Sequence, residues 1–329
     1  MEREGRHRRK RGRMGSGAPP GAHPTIGGLL VTVLLAALAA ACGSSTAIDF
    51  SQIEDTPAPP PGSPSGETLR MAIAPVISPL PSFNMYQELA SYMEDKLNRP
   101  VQLVQGKTYG EINDLVKSGE VALAVVCTNP YLQGRDDFGM ELLVAPEVNG
   151  ESYYYALLIV RSDLDARSLR DLRGHTFAFS DPMSNTGRLA PVYHLALMGE
   201  TPESFFARTI FTYAHDNSIR AVADGIVDGA AVDNLVYEYL RVIEPDVTER
   251  VKIIDRWGPF GISPIVVNPA LPTELKERLR RVFLDMDQDA DGQQLLQQLM
   301  VDRFAIPDDA IYDPVREMRR YLQEQGVSP

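Results

Sequence analysis

From Thr68 onward, short apolar runs alternate with stretches whose apolar residues recur at helical spacing. "LRMAIAPV" (69–76), "VQLVQG" (101–106), "VALAVV" (121–126), "YYYALLIV" (153–160), "HTFAFS" (175–180), "RTIFTYAH" (208–215), "DGAAVD" (228–233) and "ISPIVVN" (262–268) are short and apolar, and read as strands. Between them, Phe83, Tyr86, Leu89, Ala90, Met93 and Leu97 fall near the 3.6-residue period and predict a helix over 83–97. Further helices are predicted over 110–119, with Gly119 as its stop, after Thr128 with Pro130 in its first turn, and over 169–174, 189–198 and 219–224. Another begins at 235–240, and 273–301 and 311–324 read as helical. Strands alternating with helices predict an α/β protein with parallel-type sheets, in two blocks divided near residue 158.

Residues 1–66 carry a different pattern. "RHRRKRGR" is a basic run, and Thr25 to Ala41 is a 17-residue apolar stretch, short for a membrane span and ending in small residues before Cys42. This reads as an export signal, with Met14 as an alternative start. Ala39-Ala40-Ala41-Cys42 resembles the lipobox of bacterial lipoproteins, although the favoured Leu stands one place early, at position 38. The resemblance implies a signal peptide over 1–41 and a lipidated Cys42, which would anchor the chain on the outer face of a bacterial membrane. Residues 43–66 are rich in Ser, Pro and Gly, hold no core-forming pattern, and read with Cys42 as a tether over 42–66.

Charge narrows the partners. The formal net charge is −12, and the chain beyond Cys42 carries −17. Such a body repels nucleic acid, and the sequence has no basic stripe. The second cysteine, Cys127, ends an apolar run and reads as a small buried residue rather than a reactive thiol.

In open parallel sheets, ligands sit past the carboxyl ends of strands. The predicted junctions there hold Ser78 and Ser82, Thr108 and Tyr109, Thr128 and Asn129, "SDPMSNTG", His215 with Asn217 and Ser218, and Asp233. Taken singly, Ser, Thr, Asn and Asp at such places are N-caps. Ser184, Asn185 and Thr186 before Gly187 exceed what one cap needs. Hydroxyls, an amide and main-chain N–H groups at a helix start suit a tetrahedral oxyanion. Arg188 reads as a solvated residue. His215 is open to a structural or a site role, and as a site residue it would add a pH-dependent charge. A Ser184–His215–Asp216 hydrolase triad is disfavoured, because no G-x-S-x-G elbow is present. No nucleotide-binding loop or clustered metal-ligand motif appears, and no cofactor or resident metal is expected.

"FSDPMSNTGRLAPVYHL", "AHDNSIRAVADGIVDGAAVDNLVYEYL" and "GPFGISPIVVNPAL" together resemble the phosphate/phosphite/phosphonate-binding proteins of ABC transporters. The resemblance covers about 67–325. It implies a two-lobed type II periplasmic-binding fold of the α/β class with two crossover strands. Lobe one would be 67–155 plus 264–329, and lobe two 156–263. It implies oxyanion contacts from Ser184, Asn185, Thr186 and Gly187, a ligand-contacting His215, and Tyr109 and Tyr154 lining the cleft from the other lobe. Thr128 and Asp233 complete the expected set. Ser263 stands where relatives that hold aminoalkylphosphonates would have a carboxylate, which favours phosphate, phosphite or a small alkylphosphonate. The expected protein is a monomeric, lipid-anchored, non-enzymatic carrier for an ABC permease. A sensor lipoprotein of the same fold, and a ferric-ion binder using the Tyr residues, His215 and Asp233, are the alternatives.

Overall fold

The computed structural model describes residues 67–327, apart from the side chains of residues 79–83. The export signal, Cys42, the tether and the side chains of Ser82 and Phe83 lie outside the described residues. Two sheets organise the rest. The first contains β1 (Leu69–Ile73), β2 (Val101–Gln105), β3 (Leu123–Val125), β4 (Glu141–Glu147), β10 (Ile265–Val267) and β11 (Arg303–Ala305), in the order β11-β4-β10-β3-β1-β2. The second contains β5 (Tyr153–Arg161), β6 (Thr176–Phe179), β7 (Arg208–Phe211), β8 (Gly229–Asp233) and β9 (Val251–Gly261), in the order β7-β6-β8-β5-β9. The chain passes from the first sheet to the second along β5 and returns along β9, and these two strands pair antiparallel.

Alternation along each strand feeds two faces. In β1, Leu69 and Met71 join a core with Leu89, Met93 and Leu97 of α1 (Pro79–Leu97), Phe283 of α9 (Thr273–Leu284) and Leu295 of α10 (Ala290–Leu299). Ala72 faces the opposite side, toward Ile112 and Val116 of α2 (Tyr109–Ser118) and Tyr131 of α3 (Thr128–Phe138). In the second sheet, Leu157 and Ile159 pack with Ile219 and Val222 of α6 (His215–Ala223) and Leu240 of α7 (Asn234–Ile243). Phe177 faces Leu195 of α4 (Ala190–Leu197) and Phe205 of α5 (Pro202–Phe205). The remaining helices are α8 (Pro245–Thr248) and α11 (Asp313–Glu324).

Three features differ from the sequence reading. The sheets are mixed: β1 pairs parallel with β2 and β3, and β6 with β7 and β8, but β5 and β10 run antiparallel to their neighbours. Strand β5 is itself the first crossover and β10 follows the second, so each enters its sheet from the side toward which the parallel strands point. Strand β4 carries an apolar run, Leu142 to Ala145, that the sequence reading passed over, whereas β9 and β11 mix apolar and charged positions. Strand β9 lies at an edge and leaves Ile253, Asp255 and Arg256 in water. The helix expected over 273–301 is broken, because the Asp289 carboxylate accepts from Gly292 N–H (2.9 Å) and starts α10 anew. Gly292 also abuts the Met286 carbonyl, where a Cβ would come within 2.1 Å.

Candidate ligand site between the two sheets

The carboxyl ends of β1, β2 and β3 face those of β6 and β8, and the junction residues gather there. Strand β6 ends at Phe179, and the chain turns through Ser180 and Asp181 to Ser184. The Asp181 carboxylate accepts from its own loop at Met183 N–H (2.8 Å) and from Tyr109 N–H across the cleft (3.1 Å). Residues Asn185–Leu189 form a π-helical turn that leads into α4, with Ser184 as its cap. Ser184 Oγ accepts from Gly187 N–H at 3.0 Å. A Cβ at Gly187 would lie 1.7 Å from Ser180 Oγ and 3.0 Å from His215 Cε1, so only glycine fits between them.

His215 lies beneath this turn and is fully buried. Its Nδ1 accepts from the Asp233 backbone N–H (3.1 Å) and lies 3.0 Å from Ser180 Oγ, which donates to it. An Nδ1 that accepts a main-chain N–H carries no hydrogen, so Nε2 carries it and donates to Ser184 Oγ (3.3 Å). Burial depresses the imidazole pKa to about 3, against a weaker opposing pull from Asp216. The charge expected of His215 is therefore absent at neutral pH: a second proton would place two donors face to face at Nδ1. With two donors already on its oxygen, Ser184 has its own hydrogen to donate, and the Tyr109 phenol lies against it.

The other predicted residues meet the same turn. Asn185 Nδ2 donates to the Tyr154 hydroxyl at 2.9 Å. Cys127 Sγ is 3.8 Å from that hydroxyl, and burial raises its thiol pKa. Tyr109 and Tyr154 are buried, and desolvation holds both phenols well above their ordinary value. Thr128 is buried, and its hydroxyl donates to the Gly261 carbonyl at the end of β9 (2.7 Å), so its proton is committed to the crossover. The Asp233 carboxyl caps α7 by accepting from Leu235 N–H (2.7 Å), and burial lifts its pKa to about 7. Arg188 is not solvated as expected: it is half-buried, and its guanidinium donates to the Pro182 carbonyl (3.2 Å), closing the loop. Three atoms in this group are buried with no hydrogen-bond partner: Tyr109 Oη, Asn185 Oδ1 and Thr186 Oγ1.

Two contributors went unread in the sequence as site residues. Asp181, which stitches Tyr109 to the turn, shows locally only as an Asx-type turn residue. Asn129 was noted only as a junction residue. Its Nδ2 donates to the Met183 carbonyl across the cleft (2.9 Å), while Arg319 of α11 donates to its Oδ1 (2.8 Å) and so sets the amide's orientation. Arg319 lies 190 residues away, and no local signal announces it.

Comparison with known proteins adds a family to this geometry. The family described as "ABC transporter, phosphonate, periplasmic substrate-binding protein" matches residues 71–312. Among solved structures, the chain is similar to a binding-protein component of an ABC phosphonate transporter from Pseudomonas aeruginosa, with a TM-score of 0.74 and 24% identity over 78% of this chain and 86% of that one. It is also similar to PhnD1 of Prochlorococcus marinus in complex with methylphosphonate, with a TM-score of 0.71 and 18% identity over 78% of this chain and 98% of that one. A Xanthomonas citri protein bound to ATP has a TM-score of 0.65 and 20% identity over 79% and 98%. These similarities share the two-lobed type II periplasmic-binding fold.

Proposed function

The chain belongs to the family of periplasmic substrate-binding proteins of phosphonate ABC transporters, and from that membership we propose that it holds a phosphonate, or the related phosphite or phosphate, in the cleft between its two sheets. It works outside the cytoplasm and serves an ABC permease. In our reading it does so as a monomer held to the membrane by a lipid on Cys42, with lobes 67–155 plus 264–329 and 156–263 closing on the ligand.

The observation that carries the reading is the set of unpartnered buried atoms. A polar atom buried without a partner costs about 1–3 kcal/mol, and a ligand that satisfies it recovers that cost. Tyr109 Oη and Thr186 Oγ1 are hydroxyls with no hydrogen-bond partner among the described residues. Asn185 Oδ1 is an acceptor without a donor. Two hydroxyl donors and one acceptor complement a monoanionic R–PO2(OH) group, whose ionised oxygens accept and whose protonated oxygen donates. The donors are neutral, so the empty site buries no permanent cation. Gly187 keeps the turn tight enough for the Ser184 and Thr186 hydroxyls to share one side of the cleft.

The competing chemistries fit less well. A hydrolase would need His215 to take the Ser184 proton, but its Nε2 already carries a hydrogen directed at that oxygen. Ferric binding needs phenolates, and burial pushes both phenols away from ionisation. A role in transport rather than in signalling to a kinase follows the family.

Titration calorimetry of the mature chain with methylphosphonate, phosphite and phosphate tests the reading. Binding in the micromolar range or tighter is expected for at least one, and Thr186→Val should weaken it by about 10- to 100-fold, the worth of one hydrogen bond to a charged group. Absence of heat with every phosphorus oxyanion would overturn it.

A further inference from the structure

Beside the anion site lies a cavity of about 280 Å³. Its wall is largely carbon, including Ala74 and Val125 at the ends of β1 and β3, Leu89 of α1, Leu235 of α7, and Ile262 and Ile265 about the second crossover. Two residues belong to both places. The Tyr154 ring lines the cavity while its hydroxyl takes the Asn185 amide. Asp233 lines it while its main-chain N–H holds His215. The two places therefore share Tyr154 and Asp233 as wall residues.

We propose that the physiological ligand is a phosphonate bearing an uncharged hydrocarbon substituent of several carbons, with the phosphorus group at the Ser184–Thr186 turn and the substituent in this cavity. The proposal rests on the anion-site reading above and adds the class of substituent. At about 30 Å³ per water, the space holds about nine water-sized groups, far more than a methyl fills. The cavity lining contains no Lys, Arg or His, and it includes the carboxylic residues Asp233 and Glu238. A second anionic group on the ligand would find repulsion and no partner there. An ammonium seeks about three acceptors. Of the two carboxyl groups in the lining, Asp233 already accepts Leu235 N–H with one oxygen (2.7 Å) and Glu238 already accepts from the Arg241 guanidinium (2.6 Å). Asn234 Oδ1 is likewise taken, by Tyr155 N–H (2.7 Å). An alkyl or aryl group needs none of these and displaces water from an apolar wall.

The test is calorimetry with methyl-, ethyl-, propyl-, butyl- and hexylphosphonate, together with 2-aminoethylphosphonate, which matches the propyl compound in heavy-atom count. Affinity is expected to rise about fourfold per added methylene through butyl. Propylphosphonate is expected to bind more tightly than its amino counterpart. Leu235→Trp, and independently Val125→Phe should the first fail to fold, would fill the cavity and flatten the series while methylphosphonate still binds. Methylphosphonate binding with no dependence on chain length, or a preference for the amine, overturns this inference and leaves the anion site standing. Failure of every phosphonate to bind removes the anion-site reading itself, and this inference with it.

Discussion

Tyr109, Asn185 and Thr186 each bury a polar atom that has no hydrogen-bond partner among the described residues, and that cost marks the proposed site more sharply than any residue's identity does. His215 and Asp233 form a second residue-scale pair, joined by the Asp233 N–H on Nδ1. Their titrations oppose each other. His215 falls from an ordinary 6.5 to about 3 on folding, so below 6.5 the unfolded chain binds a proton that the native one refuses. Its contribution to stability is complete above 6.5 and is lost as pH drops toward 3. Asp233 rises from 3.8 to about 7, so the native state keeps a proton that the unfolded state releases. Its contribution is complete below 3.8 and is lost as pH rises through 7. Relative to wild type, Asp233→Asn should therefore gain stability with rising pH between about 4 and 7, by up to about 1.4 kcal/mol per pH unit. His215→Gln should lose stability with rising pH between about 3 and 6.5. Urea midpoints measured across that range check both slopes, and parallel curves for all three proteins would refute the pairing.

At the scale of elements, the turn Asn185–Leu189 shows how capping and ligand binding share one stretch. Ser184 is the N-cap, as a bland reading of Ser before a helix requires, yet capping consumes only an acceptor pair on its oxygen and leaves its hydrogen. The π-helical turn is held tight by Gly187 against Ser180 and His215. Gly187→Ala must push one of them away. We expect a loss of at least about 2 kcal/mol, the scale of overpacking in a dense interior, together with a large loss of phosphonate affinity. A variant within about 0.5 kcal/mol of wild type in urea, a change typical of surface sites, would show that the turn yields freely. Most strands and helices of the two sheets were legible because their apolar period is local. Strand β9 was not, since its burial comes from β5 on one side and α11 beneath it rather than from its own pattern. Helix α10 needed Asp289 to be recognised as a cap inside what reads as one long helix.

Across the whole molecule, the cleft is bridged by direct bonds between the two lobes. His215 N–H donates to the Val76 carbonyl (3.0 Å), and Ser78 N–H donates to Asp216 (2.9 Å), with its hydroxyl reaching the other carboxylate oxygen. Asp181 and Asn129 add bridges at Tyr109 and Met183. Several of these bonds involve the loop or helix of the proposed anion site, so on that reading closure and ligand capture would draw on the same contacts. Removing one bridging hydroxyl should lower the population of the closed form by the worth of one hydrogen bond, about 0.5–1.5 kcal/mol. Ser78→Ala is accordingly expected to weaken phosphonate binding about 2- to 10-fold, mostly through faster release in stopped-flow measurement. Unchanged affinity would mean that this bridge forms no part of closure.

The amino-acid sequence by itself determined the α/β alternation, the positions of the strand-to-helix junctions and the excess of neutral donors in Ser184–Gly187. Each of these is written within a few consecutive residues, through apolar period, capping preference and the steric freedom of glycine. Tertiary structure alone decided that Asn185 spends its amide on Tyr154, that Thr128 gives its proton to Gly261, that His215 is neutral and that an apolar cavity adjoins the turn. Hydrogen-bond partners, protonation and empty volume depend on which distant groups arrive, and here those groups come from elements 18 to 190 residues away.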